Sequence, residues 1–219
     1  MIQQRENHLS QFDSVEVDDG TAAILRWVNA GPDEQSGRYA EVIGELQGFL
    51  NAFASAELSE PQMDKFRDAL SALRAEAEDC RVPELDRRFG RARRTLTGVY
   101  AAAPEVNVEV FDNEQLLGTT YIGDFFLGVN SAAHGGSVAY IFDEVLGSLS
   151  GGLDRAPSRT AYLKTDFRAI TPINETLRVV ARVEKIEGRK RFLHGEIWHG
   201  DVLCAEANAL FVELLPGQR

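Results

Sequence analysis

Two cysteines, two methionines and two tryptophans are all that 219 residues hold of those types. Cys80 and Cys204 lie far apart in dissimilar segments. That rules out a disulfide-stapled scaffold and reads as reduced thiols, with a cytoplasmic location expected. No run of about 18 apolar residues occurs, so no membrane span is expected. The N-terminal MIQQRENHLSQFDS has neither an apolar stretch nor a signal-peptide pattern. Positive charge is scarce: 23 Lys and Arg stand against 34 Asp and Glu, a formal net charge of −11. Such a balance speaks against nonspecific binding to nucleic acid, while leaving room for a local basic patch. No His/Cys cluster has metal-ligand spacing, so no metal is expected. There is no GxSxG elbow, no GxGxxG fingerprint, no internal repeat and no low-complexity segment.

What is present is an ordinary globular composition, 44% hydrophobic and 26% charged. It divides near residue 100, giving an expected helical region over 1–100 and a second domain over 101–219. In SGRYAEVIGELQGFLNAF, Val42, Ile43, Leu46, Phe49 and Leu50 fall at helical spacing and predict one buried stripe. LSEPQMDKFRDALSALRAEAEDC follows, with Ser59 and Gln62 as a capping box, Pro61 in the first turn, and Phe66, Leu70 and Leu73 as an inner face. Together they read as a helical hairpin, packed on the second domain. TAAILRWVNA (21–30) suggests another short helix. RVPELDRRFGRARR (81–94) holds six arginines; a solvated helix face and a phosphate-binding patch are both open readings.

From about 105 the apolar period becomes two. Strands are predicted at 107–112, 116–123, 160–169, 176–186, 190–199 and 202–214, the last four joined by short turns as an antiparallel meander. Between the second and third strands lies NSAAHGGSVAYIFDEVLG, residues 130–147. Val138, Ile141, Phe142, Val145, Leu146 and Leu149 give it a helical apolar face. Asp143 stands on a stripe of small residues with Gly136, Ala139 and Gly147, where a ligand can approach closely. Glu144 shares a more ordinary polar face with Ser137, Tyr140 and Ser148. Asp143 is therefore the stronger candidate for a general base or nucleophile. His134, Gly135 and Gly136 open the helix, where unpaired N–H groups and a partial positive charge favour an anion. Two glycines clear side chains from those donors, as an oxyanion hole requires; a tight turn needing glycine for conformation alone explains them too. His134 reads as orienting the turn through a hydrogen bond, more than as a base.

HGG, then nine residues from histidine to the aspartate of FDEVLG, then TAYLKTDFRAITP and VEKIEGRK, resembles the PaaI-like subgroup of hotdog-fold acyl-CoA thioesterases over about 105–214. The resemblance implies an α+β hotdog fold, an antiparallel sheet wrapped around a central helix, here preceded by the helical hairpin. It implies at least a homodimer, with active sites at the protomer interface and an acyl-CoA substrate. No separate cofactor is implied, since coenzyme A is part of that substrate. The acidic residue of the family maps to Asp143. Its oxyanion glycine, presented by the facing protomer, maps to Gly135 with His134 and Gly136 beside it, and its water-holding hydroxyl maps to Thr160. Asn130 is the nearest match to a loop amide used by some members. The coenzyme A positions map to Asp166 and Arg168 on the first meander strand and to Arg189 and Lys190 in the GRK turn, which equally reads as a solvated hairpin. Alternation sets Thr160, Tyr162, Lys164, Asp166 and Arg168 on one face.

Blander readings suit other polar residues. His194 and Trp198 pack or line a dimer surface, Glu206 and Asn208 face water, and His8 and His199 lack partners. Against thioester hydrolysis stand two alternatives: a noncatalytic acyl-CoA binding module, and a hotdog enoyl-CoA hydratase or dehydratase.

Overall fold

The computed structural model describes residues 34–83, 86, 102–153, 155–215 and 217–218. The expected helix at 21–30, His8, the junction near residue 100, and Arg87, Arg88, Arg91, Arg93 and Arg94 lie outside the described residues. In chain order the elements are helices α1 (Glu34–Ala54) and α2 (Glu60–Asp79), strands β1 (Val106–Phe111) and β2 (Gln115–Tyr121), and a 3-10 turn η1 (Asp124–Phe126). Helix α3 (Gly135–Gly151) follows, then β3 (Ser158–Phe167), β4 (Thr176–Glu187), β5 (Lys190–His199) and β6 (Val202–Glu213). The strands form one antiparallel sheet in the order β1-β2-β4-β5-β6-β3, which leaves β3 at an edge. This is the hotdog arrangement, with helices in front of it. All six expected strands exist; β3 starts two residues earlier than the alternation suggested. No helix among the described residues is long and apolar enough to cross a membrane.

The sheet bends around α3 because that helix is apolar on one whole side. Val138, Ile141, Phe142, Val145, Leu146 and Leu149 are each at most 1% exposed. They pack against Leu116, Leu177, Val179, Leu193, Ile197 and the alanine row Ala205, Ala207 and Ala209. Burying a side chain of the Val/Leu/Phe class contributes about 1.5–3 kcal/mol, so this face dominates the stability of the unit.

The far end of α3 is locked by two arginines that the sequence pattern did not single out. Arg191, on β5, is 3% exposed. Its Nη1 donates to the carbonyls of Ser150 at 2.8 Å and Ala156 at 2.9 Å, and its Nη2 pairs with Glu213. Arg155 donates to Leu149 O and to Asn113 O. Both guanidiniums thus meet the negative, carbonyl end of the helix, where donors are otherwise lacking. Ser150 and Ser158 add a hydroxyl–hydroxyl bond of 2.7 Å. The end of α3 is thereby tied to the start of β3.

The strand β3 carries a bulge that alternation does not reveal. Thr160 pairs with Phe211 and Tyr162 with Leu210, leaving Ala161 as the extra residue. Phe211 belongs to the inner core. Directly opposed residues share a face, so Thr160 points inward with Phe211. Tyr162, Lys164 and Asp166, opposite Leu210, Asn208 and Glu206, point outward. The expectation that Thr160 and Arg168 share one face is corrected by this one-residue slip.

The hairpin α1–α2 exists, and Gln62 caps it as expected, its Oε1 accepting from the Ser59 N–H at 2.9 Å. Its stripe is less buried than the spacing implied. Ile43 is 5% exposed, but Val42 is 64% and Leu73 62% exposed, and α2 buries no residue. Two helices cover each other on one side only. What holds them is a knot of Phe49, Phe53 and Phe66, with ring centroids 5.8 to 6.4 Å apart. Among the described residues, α1 meets the sheet unit at η1 and at Ala103.

Replacing Arg191 with Met leaves Ser150 O and Ala156 O without their donor. The expected cost is about 2–3 kcal/mol, read as a fall of roughly 5–10 °C in the thermal midpoint at fixed protein concentration. A midpoint unchanged within 2 °C contradicts the clamp.

Candidate active site

The start of α3 is built by His134. Its backbone is extended, its ring Nδ1 accepts from the Gly136 N–H at 3.0 Å, and its carbonyl accepts from the Ser137 N–H and hydroxyl. His134 is the N-cap. Its ring does what a Ser or Asn oxygen does at other helix starts, which requires Nδ1 to be unprotonated. The two glycines consequently differ. The Gly136 N–H is already committed to His134, whereas the Gly135 N–H has no acceptor among the described residues. The Phe167 ring lies over Gly135: a Cβ added there would stand 3.1 Å from Phe167 Cζ. A free donor beside an exposed aromatic ring suits an acyl oxygen.

Asn130 has a backbone explanation of its own. Asn130 and Ser131 take φ of 52° and 59°, and Ala132 N–H donates back to Val129 O at 3.0 Å. They are the central pair of a tight turn with both residues left-handed, a position that favours asparagine. The Asn130 side chain is exposed at the turn's tip.

Two turns further along α3, Asp143 is exposed, and the Thr160 hydroxyl donates to its Oδ1 at 3.2 Å. The bulge at Ala161 is what turns Thr160 inward to meet it. Glu144, one residue on, is half-buried and has its own interactions. Asp143 and Gly135 are eight positions apart on one helix, about 12 Å along its axis. A single thioester carbon cannot touch both within one chain.

The residues matched to coenzyme A separate into two groups. At one end of β3, Arg168 lies beside Cys204 and its guanidinium pairs with Glu206 at 2.5 Å, which raises its pKa further. Asp166 accepts from Lys164 at 2.8 Å, and that bond holds its carboxyl below the ordinary range. Arg189 and Lys190 sit in the β4–β5 turn, where Gly188 supplies a φ of 57°. Arg189 donates to Glu213 O at 3.0 Å. From Cys204 to Glu213 is nine steps along β6, about 30 Å. Within one chain the two groups stand at opposite ends of the sheet.

A third cluster covers the outer face. His194, 8% exposed, contacts Asn208 Oδ1 at 3.0 Å and Glu196 Oε1 at 3.3 Å. Burial works against the Glu196 carboxylate, yet the Trp198 N–H, Arg182 and His194 more than offset it and hold its pKa below the ordinary value. Arg178 lies over the Trp198 ring, 5.2 Å from its centroid. Glu206 and Asn208 are thus paired and half-buried rather than simply hydrated. No group of three or more His, Cys, Asp or Glu suited to a metal occurs among the described residues. Both cysteines are free, and burial pushes the Cys204 thiol up.

If His134 acts as a cap, His134→Asn keeps the acceptor and His134→Ala loses it. Thermal unfolding should then place the Ala variant about 1 kcal/mol below the parent and the Asn variant within a few tenths. Equal loss in both variants contradicts the capping role.

Residues 130–206 match the family model described as the thioesterase superfamily. Over 96 residues the chain is 34% identical to the acyl-coenzyme A thioesterase THEM4 of Bos taurus, covering 43% of this chain and 39% of that protein. Over 100 residues it is 35% identical to THEM4 of Xenopus laevis, covering 43% of each. The chain spans well under half the length of these curated relatives. A crystal structure of a thioesterase superfamily protein aligns with a TM-score of 0.67 at 24% identity, over 80% of this chain and 94% of that one.

Proposed function

Because residues 130–206 match the thioesterase superfamily model, we propose that the chain hydrolyses the thioester of an acyl-CoA to the free acid and coenzyme A. The observation that carries the reading is the exposed Asp143 carboxylate held by the Thr160 hydroxyl. Asp143 takes a proton from a water held between it and Thr160, and the water oxygen adds to the thioester carbon. Direct attack by the carboxylate, followed by hydrolysis of the anhydride, gives the same products. The Gly135 N–H, with the helix start behind it, faces the oxygen on which charge develops. Collapse breaks the C–S bond, and the proton leaves with the CoA sulfur.

The 12 Å gap along α3 is closed by a second copy. The strand β3 is an open edge, and two copies joined there by a two-fold axis run antiparallel. The Thr160 end of one β3 then lies beside the Phe167 end of the other. Phe167 covers Gly135, so Asp143 and Thr160 of one protomer approach Gly135 of its partner. The same operation brings the Arg189–Lys190 turn of one copy toward the Arg168 end of the other, making one groove for a nucleotide from two half-sites 30 Å apart in the monomer. Free thiols at Cys80 and Cys204 suit a reducing compartment such as the cytoplasm.

Release of free CoA from a panel of acyl-CoA thioesters tests the activity; no release from any of them refutes it. In an active protein, Asp143→Asn should lower kcat by at least about a hundredfold, with Glu144→Gln losing far less; equal losses would sink the assignment.

The shared site has its own check. Asp143→Asn and Gly135→Val homodimers are each expected to be inactive. Mixed by unfolding and refolding, they should regain about a quarter of parental activity, because half the dimers carry one site with both intact groups. No recovery from a mixture shown to exchange subunits argues for a site within one chain.

A further inference from the structure

The hairpin takes no part in the proposed chemistry, yet it reaches η1, whose Phe126 carbonyl holds the residue before Gly135. Asn51, near the end of α1, directs its Oδ1 at the N-terminus of η1 and accepts the Phe125 N–H at 3.0 Å. A helical turn leaves its first N–H groups unpaired, and an asparagine oxygen is a favoured cap. Here the cap comes from 74 positions away. Gly123 makes room for it. That residue is buried, and a Cβ added to it would stand 2.3 Å from Asn51 Oδ1. One turn before Asn51, Gln47 donates to Ala103 O at 3.2 Å and holds α1 beside the start of β1.

From η1 a backbone bond leads directly to the site. His134 N–H donates to Phe126 O at 2.7 Å, and His134 is the cap of α3, adjacent to Gly135. The opposite side of η1 is held from the sheet: Asn174 Nδ2 donates to Asp124 Oδ1 at 2.8 Å, and Ala133 N–H donates to Thr171 O at 2.8 Å. The turn is therefore clamped between the domain's own loop and one side chain of the hairpin.

We propose that Asn51 is a positioning residue: by capping η1 it holds the Phe126 carbonyl that fixes His134, and through His134 it aims the Gly135 N–H. The kinetic part of this inference rests on the thioesterase reading; the mechanical part does not. It gives the hairpin a defined role, that of a strut bearing on the oxyanion turn.

The test uses the full chain and four variants: Asn51→Ala, Asn51→Asp, Gly123→Ala, and the double Asn51→Ala/Gly123→Ala. Backbone amide exchange is read at His134, and kcat and KM are read on an acyl-CoA. Asn51→Ala should speed exchange at His134 and lower kcat about tenfold, with KM within about twofold, the scale of a small misalignment. Asn51→Asp keeps an acceptor oxygen and should restore both to within about threefold. Gly123→Ala should resemble Asn51→Ala, and the double variant should be no worse than either single one, since all remove the same contact. Unchanged His134 exchange in Asn51→Ala overturns the proposal. So does a kcat loss that Asp fails to rescue, or losses that multiply in the double variant. If the parent releases no CoA from any thioester, the thioesterase reading fails and exchange alone decides: faster supports the strut, unchanged overturns it.

Discussion

One apolar helix lying across one antiparallel sheet sets the position of everything else. Phe142 is fully buried, and the next residue along a helix points about 100° away. Asp143 is thus carried to the rim of the buried stripe, where it meets the edge strand and solvent together. The same burial prevents α3 from sliding or rotating, because any shift would lift Val138 or Leu149 out of the core. The free N–H at Gly135 and the carboxylate at Asp143 are two fixed points on a rigid rod. Their separation, about 12 Å along the axis, is fixed by the packing of the helix between them.

Both ends of that rod are held by side chains that lie outside it. At the carbonyl end, Arg191 and Arg155 meet backbone oxygens that the helix cannot satisfy itself. At the amide end, His134 satisfies one donor, and the loop carrying His134 rests on η1. Each contact has the polarity that the helix end calls for, donors at the carbonyls and acceptors at the amides. The sequence between the ends therefore needs no further specification than its apolar stripe.

The two apolar periods, 3.6 over 138–149 and 2 beyond 158, make the helix and the meander legible in the sequence because burial writes them directly. The small neighbours of Asp143 on its helix face, Gly136, Ala139 and Gly147, were legible too. What could not be read is whatever depends on register or on distant partners. In TAYLKTDFRA no glycine or proline marks the bulge at Ala161, yet that one residue moves Thr160 from the face of Arg168 to the face of Asp143. Asn51 sits among apolar residues of α1 with nothing local to mark it, since its partner is the Phe125 amide. Arg191 lies in a GRK-R stretch that reads as a solvated turn, and only the fold reveals it as buried. The hairpin stripe misled in the other direction: periodicity reports which residues can be buried, not how much surface is available to bury them.

Charge placement follows the same logic of local partners. An acidic chain can attract an anion only where its cations remain uncompensated. Along the outer sheet Lys164 is paired to Asp166, Arg168 to Glu206 and Arg182 to Glu196, so these side chains offer little net field to an approaching phosphate. Arg189 bonds a backbone carbonyl and keeps its full charge unneutralised by that contact. Lys190 beside it is exposed, and its charge adds to the Lys185 pairing that lowers the Glu187 pKa. The β4–β5 turn therefore holds two neighbouring cations, and it lies at the same end of β3 as Thr160. The cationic turn and the Asp143 carboxylate thus lie toward one end of the edge strand, and the free Gly135 N–H lies toward the other.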